Sequence, residues 1–465
     1  MNTKTIQRKI LKNSWKIFIV ISFFYMSCTD NTAPANPDEN DALSGGATTI
    51  FDATSKAFAN PAPNLSAQSF ELHQEGDVAF EAKFVTAPAT INSGLGPIYN
   101  NIACVSCHAS DGRGTPPNEG EELTSMLFRL SIPGFAPDGG PNPAPGFGGQ
   151  LQPRAVIGSV SEGNVRITYK EIQGAFPDGE KYSLRQPTYT IINPYTALPA
   201  GLMISPRVAP PVFGLGLLEA VPESSILAIA DESDANKDGI SGRPNYVFDV
   251  TNKRTALGRF GLKCNMPNLR QQNAGAYNGD MGITSSVFPD ENSVGQVQAI
   301  PAHAVEVDDK TLDAVVHYTR TLAVPSRRNT NDETVKRGKQ LFMQANCLGC
   351  HTPTLKTGTV ADIPEISNQT IHPYTDLLLH DMGDELSDGR PDYLATANEW
   401  RTSPLWGIGL TELVNGHSNF LHDGRARNFI EAILWHGGEA STSREYFKKL
   451  PQSDRKAIIA FLRSL

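Results

Sequence analysis

Apolar residues recur at helical spacing in a few well-separated stretches of the chain, and between them the pattern is broken by glycine and proline. Residues 308–324 place Leu312, Val315, Val316, Thr319 and Leu322 on one face, and Pro325 stops the run. Residues 453–465 gather Ile458, Phe461, Leu462 and Leu465 in the same way, with Ser453 placed to cap the first turn. A third helix is predicted over 332–345, where Gly338 and Phe342 stand four apart, and Gly76 and Phe80 repeat that spacing. A small residue and an aromatic at i and i+4 let a second helix cross closely over the glycine. After Gly424 a shorter helix puts Phe429, Ile433 and His436 on one face and ends at Gly437 and Gly438. Short strands are expected near 165–169 and 189–192, and 133–153 reads as a Gly/Pro-rich loop.

The N-terminus differs from the rest. Residues 1–27 carry Lys4, Arg8, Lys9, Lys12 and Lys16 with no acid, and 17–26 are apolar apart from Ser22. That run is too short to span a bilayer and fits a signal peptide. Ser27-Cys28 resembles a bacterial lipoprotein processing site, which would make Cys28 the lipidated first residue; plain cleavage is the other reading. Residues 28–65, rich in Asn, Ala, Pro and Ser, read as a flexible tether. The expectation is an exported protein, periplasmic or an outer-membrane lipoprotein, touching the membrane only through its lipid anchor.

At 465 residues the chain has room for two or three domains, and 39% hydrophobic with 19% charged residues suits a soluble globular protein. The 40 glycines and 33 prolines imply much loop. Loss of the five leader cations takes the net charge from −9 to −14, which argues against a nucleic-acid partner.

The chemistry lies in Cys104-Val-Ser-Cys107-His108 and Cys347-Leu-Gly-Cys350-His351. Two thiols one turn apart can add to the vinyl groups of a haem while the adjacent histidine reaches the iron, so two covalently bound haem c groups are expected, with His108 and His351 as proximal ligands. Zinc would want four converging ligands and a redox dithiol a thioredoxin-like setting; neither is present. Cytochrome c domains cross their first and last helices as the Gly–Phe spacings predict. The expected architecture is therefore mainly α, with two cytochrome c-like haem domains at 66–327 and 330–465, the first enlarged by a loop-rich insertion. His436 is a candidate distal iron ligand, its alternative being a hydrogen-bonded core histidine. His73, His303, His317, Met203 and Met281 are conceivable distal ligands of the first iron. Asp234, Asn236, Asp238 and the Ile240 carbonyl have the alternation of a calcium loop, although Asn245 stands where a complete EF-hand has glutamate; a solvated acidic turn is the alternative. Cys264 is left as a buried bystander.

Residues 399–407 (Glu-Trp-Arg-Thr-Ser-Pro-Leu-Trp-Gly), 377–383 (Leu-Leu-Leu-His-Asp-Met-Gly), 420–426 (Phe-Leu-His-Asp-Gly-Arg-Ala), 238–244 (Asp-Gly-Ile-Ser-Gly-Arg-Pro) and 258–261 (Gly-Arg-Phe-Gly) resemble the bacterial di-haem oxidoreductases that carry a peroxidase designation. The similarity runs from about residue 70 to the C-terminus. More distantly, the second half is similar to the C-terminal domain of di-haem cytochrome c peroxidases and of the methylamine-utilisation di-haem enzyme. Their distal ligand lies fourteen residues after the histidine of the His-Asp-Gly turn, which implies His436 after His422 and places His422 behind the ligand. A histidine there departs from the methionine of the peroxidases. The resemblance further implies that the second haem receives electrons from a small electron-donor protein or redox carrier, and that the first reduces a peroxide-type small oxidant. Two rivals are a non-catalytic electron-transfer cytochrome and a surface accessory in iron handling.

Overall fold

The structure, a computed structural model, describes residues 41–301 and 303–465; the predicted signal peptide, Cys28 and the first part of the tether lie outside the described residues. Most long helices begin where a side chain can take up free N–H groups. α1 (Ala67–Glu81) is capped by the Ser66 hydroxyl, and α2 (Leu269–Met281) by Asn268. α3 (Asp309–Thr321) and α4 (Glu333–Gln344) are capped by Asp308 and Asp332, and α5 (Phe429–Trp435) by Asn428. α6 (Gln452–Ser464) starts after Pro451, so Ser453 lies inside its first turn and does not cap it.

α1 crosses α3, and α4 crosses α6, as the glycine spacing predicts. A Cβ on Gly76 would come within 3.0 Å of the Ala314 carbonyl oxygen, and one on Gly338 within 3.0 Å of that of Ala457. Backbone meets backbone at both crossings, so no side chain can stand there. Four residues on, Phe80 lies 5.3 Å from the Tyr318 ring and Phe342 lies 5.2 Å from that of Phe461. The two helix pairs are thus built on one plan.

The expectation of a mainly α chain is overturned: 29% of the described residues are helical and 19% are in strands. β1 (Met126–Phe135), β2 (Asn164–Ala175), β3 (Lys181–Ile192) and β4 (Met203–Val208) supply most of the sheet. β1 pairs antiparallel with β4, Met126 opposite Val208, and β2 with β3, Asn164 opposite Ile192. The β2–β3 hairpin runs well past the two short predicted stretches. Only its base buries a face, at Val165, Ile167 and Ile191, so apolar alternation marks that end alone.

Two separate cytochrome c-like units are not found either; the described residues fall into one compact unit. The tip of the β2–β3 hairpin carries Phe176 to within 6.1 Å of the Phe447 ring, and the Arg455 guanidinium lies 3.9 Å over Phe176 while pairing with Asp178 and Glu180. The expected boundary near 327–330 is held by packing: buried Arg327 pairs with Asp41 and lies 5.1 Å over the Phe461 ring, and the Arg328 amide donates to the Ser464 carbonyl. Residues 41–65, expected as tether, are packed as well. Thr49 and Ile50 pair with Val324 and Pro325, and Phe58 stacks on Phe213 at 4.4 Å. A stretch without periodicity is ordered here by backbone hydrogen bonds and one buried aromatic. None of the described helices is long and apolar enough to cross a membrane.

Gly338→Ala is expected to destabilise the protein by about 3 kcal/mol, because the Ala457 backbone cannot yield. Gly149→Ala, whose Cβ meets nothing within 4 Å, should leave the urea midpoint unchanged. Equal midpoints for the two variants would contradict the crossing as described.

Candidate functional site

The two Cys-x-x-Cys-His segments fold alike. Each opens with a single 3-10 turn, Cys104–Ser106 or Cys347–Gly349, and the histidine amide donates back to the first cysteine carbonyl at 3.0 Å in both. The described cysteines are all free thiols. Burial pushes Cys104, Cys107 and Cys347 up to about 12, so none is poised as a thiolate nucleophile at neutral pH. His108 Nδ1–H donates to the Pro210 carbonyl at 2.7 Å, and His351 Nδ1–H to that of Tyr374 at 2.9 Å. Burial pushes both imidazoles down to about 4. Each is therefore neutral with its lone pair on Nε2, the state a metal requires. Phe80 stands 6.2 Å from the His108 ring at 51°, and Phe342 stands 6.1 Å from the His351 ring at 50°. The aromatics of the two helix crossings thus back the two histidines.

A cavity of about 270 Å³ opens beside His351, lined by Cys347, Cys350, His436, Phe429 and Leu462 among others. His436 follows the last residue of α5, and its Nδ1–H donates to the Ala432 carbonyl at 2.7 Å, which leaves Nε2 as the lone-pair nitrogen. After burial itself, charge on His436 further depresses the protonation of His351. Arg401 also lines the cavity; its Nε and Nη1 are buried without a partner. An uncompensated buried guanidinium is costly, and carboxylates entering the cavity would relieve it. Two thiols, two neutral imidazoles, apolar walls and a waiting cation fit a haem with its propionates.

The clamp behind Cys350 is absent from the sequence-level candidates. His380, 2% exposed, donates through Nε2–H to Asp376 at 2.7 Å and through Nδ1–H to Glu439 at 2.8 Å. Its Nδ1 lies 3.5 Å from Cys350 Sγ. Burial opposes the charge, but the bonds to Asp376, Cys350 and Glu439 outweigh it and raise the imidazolium to about 12. Glu439 also accepts from the amide and hydroxyl of Ser241 at 3.0 and 2.8 Å. Segments 377–383 and 238–244 were recognised as motifs, but their meeting at one cysteine sulfur leaves no trace in spacing.

Ile240 also packs against the second cysteine pair. Its side chain covers the second haem-binding turn so closely that a Cβ on Gly349 would strike its Cδ1. In the loop before it, the Asp234 carboxylate accepts from the Gly239 amide at 3.2 Å, Asn236 Oδ1 from Asp238 at 2.8 Å, and Asp238 Oδ1 from Ile240 at 2.9 Å. Asn245 is fully buried and bonds to the Lys263 and Asp392 carbonyls, so the loop is not a complete EF-hand. His422 stacks flat on Trp400 at 3.8 Å and 8°, and burial pushes it down to about 4.

Of the distal candidates for the first site, His73 is bonded to Thr321, His317 to Ser69 and His303 to Glu291, while Met281 belongs to the core around α2. Among the polar groups that the structure brings to this cysteine pair are Asn101, whose Nδ2 donates to Cys107 Sγ at 3.6 Å, and Asp280. Its charge is felt at Cys104 and Cys107, and its Oδ1 accepts from Gln150 Nε2 at 2.7 Å. Cys264 is fully buried, its thiol donating to the Leu377 carbonyl.

His380→Gln is expected to cost about 3–5 kcal/mol, because two buried carboxylates lose their cation. The folded-state pKa lies above the unfolded ~6.5, so this stabilisation is complete below pH 6.5 and declines as pH rises toward 12. Denaturation midpoints of wild type and variant should therefore lie furthest apart near pH 6 and draw together by pH 10. A gap that widens with pH would contradict the clamp.

No curated protein matches the chain. A solved structure of Kuenenia stuttgartiensis hydrazine synthase, pressurized with 20 bar xenon, aligns over 100% of both chains at 12% identity with a TM-score of 0.35, a likeness too slight to carry an argument. The family model described as "Di-haem oxidoreductase, putative peroxidase" matches residues 39–465, a span that holds both Cys-x-x-Cys-His turns, and the chain belongs to this di-haem oxidoreductase family.

Proposed function

We propose that the protein is an exported di-haem c oxidoreductase, anchored through Cys28, that reduces a peroxide with electrons from a small donor protein or redox carrier. The observation that carries this reading is the pair of neutral histidines, His108 and His351, each with Nε2 free behind an intact cysteine pair. Haem bound at such sites supplies one-electron exchange and, at an open iron face, reductive cleavage of an O–O bond, two electrons and two protons turning hydrogen peroxide into two waters. Cys104, Cys107, Cys347 and Cys350 hold the two groups as thioethers. His436 closes the far face of the second site and Arg401 takes up carboxylates there. At the first site the Nε2 atoms of His303 and His317 are engaged by Glu291 and Ser69, and His73 is bonded to Thr321 through Nδ1. Asp280, whose carboxyl burial shifts toward its protonated form against the pull of Arg129 and Gln150, is the acid candidate near Cys104 and Cys107 for the proton that the leaving oxygen takes up. A calcium ion at Asp234, Asn236 and Asp238 is a separable part of the reading and is not needed for turnover.

Two measurements test this. A gel stained for covalent haem should show about half the signal for Cys104→Ala/Cys107→Ala and for Cys347→Ala/Cys350→Ala, and none for all four substitutions. Steady-state peroxide consumption with a reduced donor should be measurable and should fall about 100-fold in Asp280→Asn. Intact staining without any turnover would leave the protein an electron-transfer module. For the second site, His436→Ala should convert one of the two haem signals in the visible and EPR spectra from low to high spin. A spectrum identical to wild type would remove His436 from the iron.

A further inference from the structure

Between Met281 and Asp309 the described residues form neither helix nor strand, an unusual length of irregular chain inside a compact protein. Three side chains of this stretch converge: Glu291, His303 and Glu306 each offer one ligand atom within 4.8 Å of the others. Glu306 is held in place by Thr284, whose amide and hydroxyl donate to its Oε2 at 2.9 and 3.0 Å, so that its other oxygen remains unclaimed by these donors. His303 has Nδ1 on the Ala304 carbonyl at 2.8 Å and Nε2 facing Glu291 Oε1 at 2.8 Å. The second oxygen of that carboxylate, Oε2, is buried with no hydrogen-bond partner, on a residue only 8% exposed.

A simple ion pair does not satisfy this group. Two carboxylates face one imidazole, so even a protonated His303 leaves a negative charge over, and among the described residues neither glutamate has a lysine or arginine at ion-pair distance. A divalent cation supplies the missing charge and accepts the orphaned oxygen. Nitrogen and oxygen donors at bond lengths of about 2.0–2.2 Å suit zinc, with a fourth position open to water on the exposed side of His303. From this we infer that Glu291, His303 and Glu306 form a divalent transition-metal site, distinct from the haem centres. The ion ties the middle of the irregular stretch, at Glu291, to its C-terminal part, at His303 and Glu306, and does for it what hydrogen-bond ladders do in the helices around it.

The test uses haem-loaded protein stripped of loose metal with a chelator and titrated with zinc sulfate, reading bound zinc by elemental analysis and binding by calorimetry. The wild type should take up one zinc per chain at micromolar concentration, with a rise in Tm. His303→Ala, at an exposed position, and Glu291→Gln should each bind at least 10-fold more weakly and lose the Tm rise, with haem spectra unchanged. The absence of zinc uptake by the wild type, or uptake undiminished in His303→Ala, would overturn the site and leave a histidine–glutamate ion pair.

Discussion

Everything around His108 and His351 depends on a contact in which two helices touch through their backbones. At Gly76 and at Gly338 the partner carbonyl occupies the space a side chain would need. This close approach brings Phe80 and Phe342 down onto the histidines at nearly the same distance and tilt. Helices held further apart by a methyl group would lift the aromatic away and open the proximal pocket to water. Burial is also what keeps both imidazoles neutral, so helix packing and ligand chemistry have the same origin.

The second site is not the property of the second half of the chain. Ile240 roofs its cysteine turn and Ser241 fixes Glu439, which in turn fixes His380 beside Cys350. The β2–β3 hairpin lends Phe176 to the core under α6, and Asp178 and Glu180 neutralise Arg455 there. Arg327, where a linker was expected, is buried against Asp41 and Phe461. Two haem-binding plans repeat along the sequence, but they are laced into one body, and loosening the first half would disturb the walls of the second site.

The parts legible from sequence are those that a single local pattern determines. Cys-x-x-Cys-His states its chemistry within five residues, and the glycine four positions before a phenylalanine states a helix crossing within one turn. His436, which lines the cavity beside His351, was legible because helical periodicity aligned it with Phe429 and Ile433. His380, Asp376 and Glu439 could not be found in this way, since each is an ordinary polar residue until His380 is folded against Cys350, 30 positions before it, and Glu439, 59 positions after it. Arg401 was quoted within a motif without a role, which only its unsatisfied burial discloses. The hairpin was underestimated because only its base buries alternating apolar residues, and elsewhere its side chains are exposed or half-buried without regular alternation. Residues 41–65 were read as tether because backbone pairing leaves no mark on composition.

The likeness of the two proximal sides constrains where any division of labour can arise. Both histidines donate to a backbone carbonyl and not to a carboxylate, at 2.7 and 2.9 Å, so neither is driven toward imidazolate and the two push equally on whatever they ligate. Both are backed by a phenylalanine in the same pose. A difference in reactivity between the sites must therefore come from their opposite faces or from the charges around them. On the proposed reading the second site presents His436 and the cation of Arg401, a combination that saturates and steadies. The first presents Asp280, a carboxyl that burial shifts toward its protonated form, with Gln150 donating to it. Duplicated proximal machinery with divergent distal faces is the arrangement expected when one site relays electrons and the other spends them on a bond.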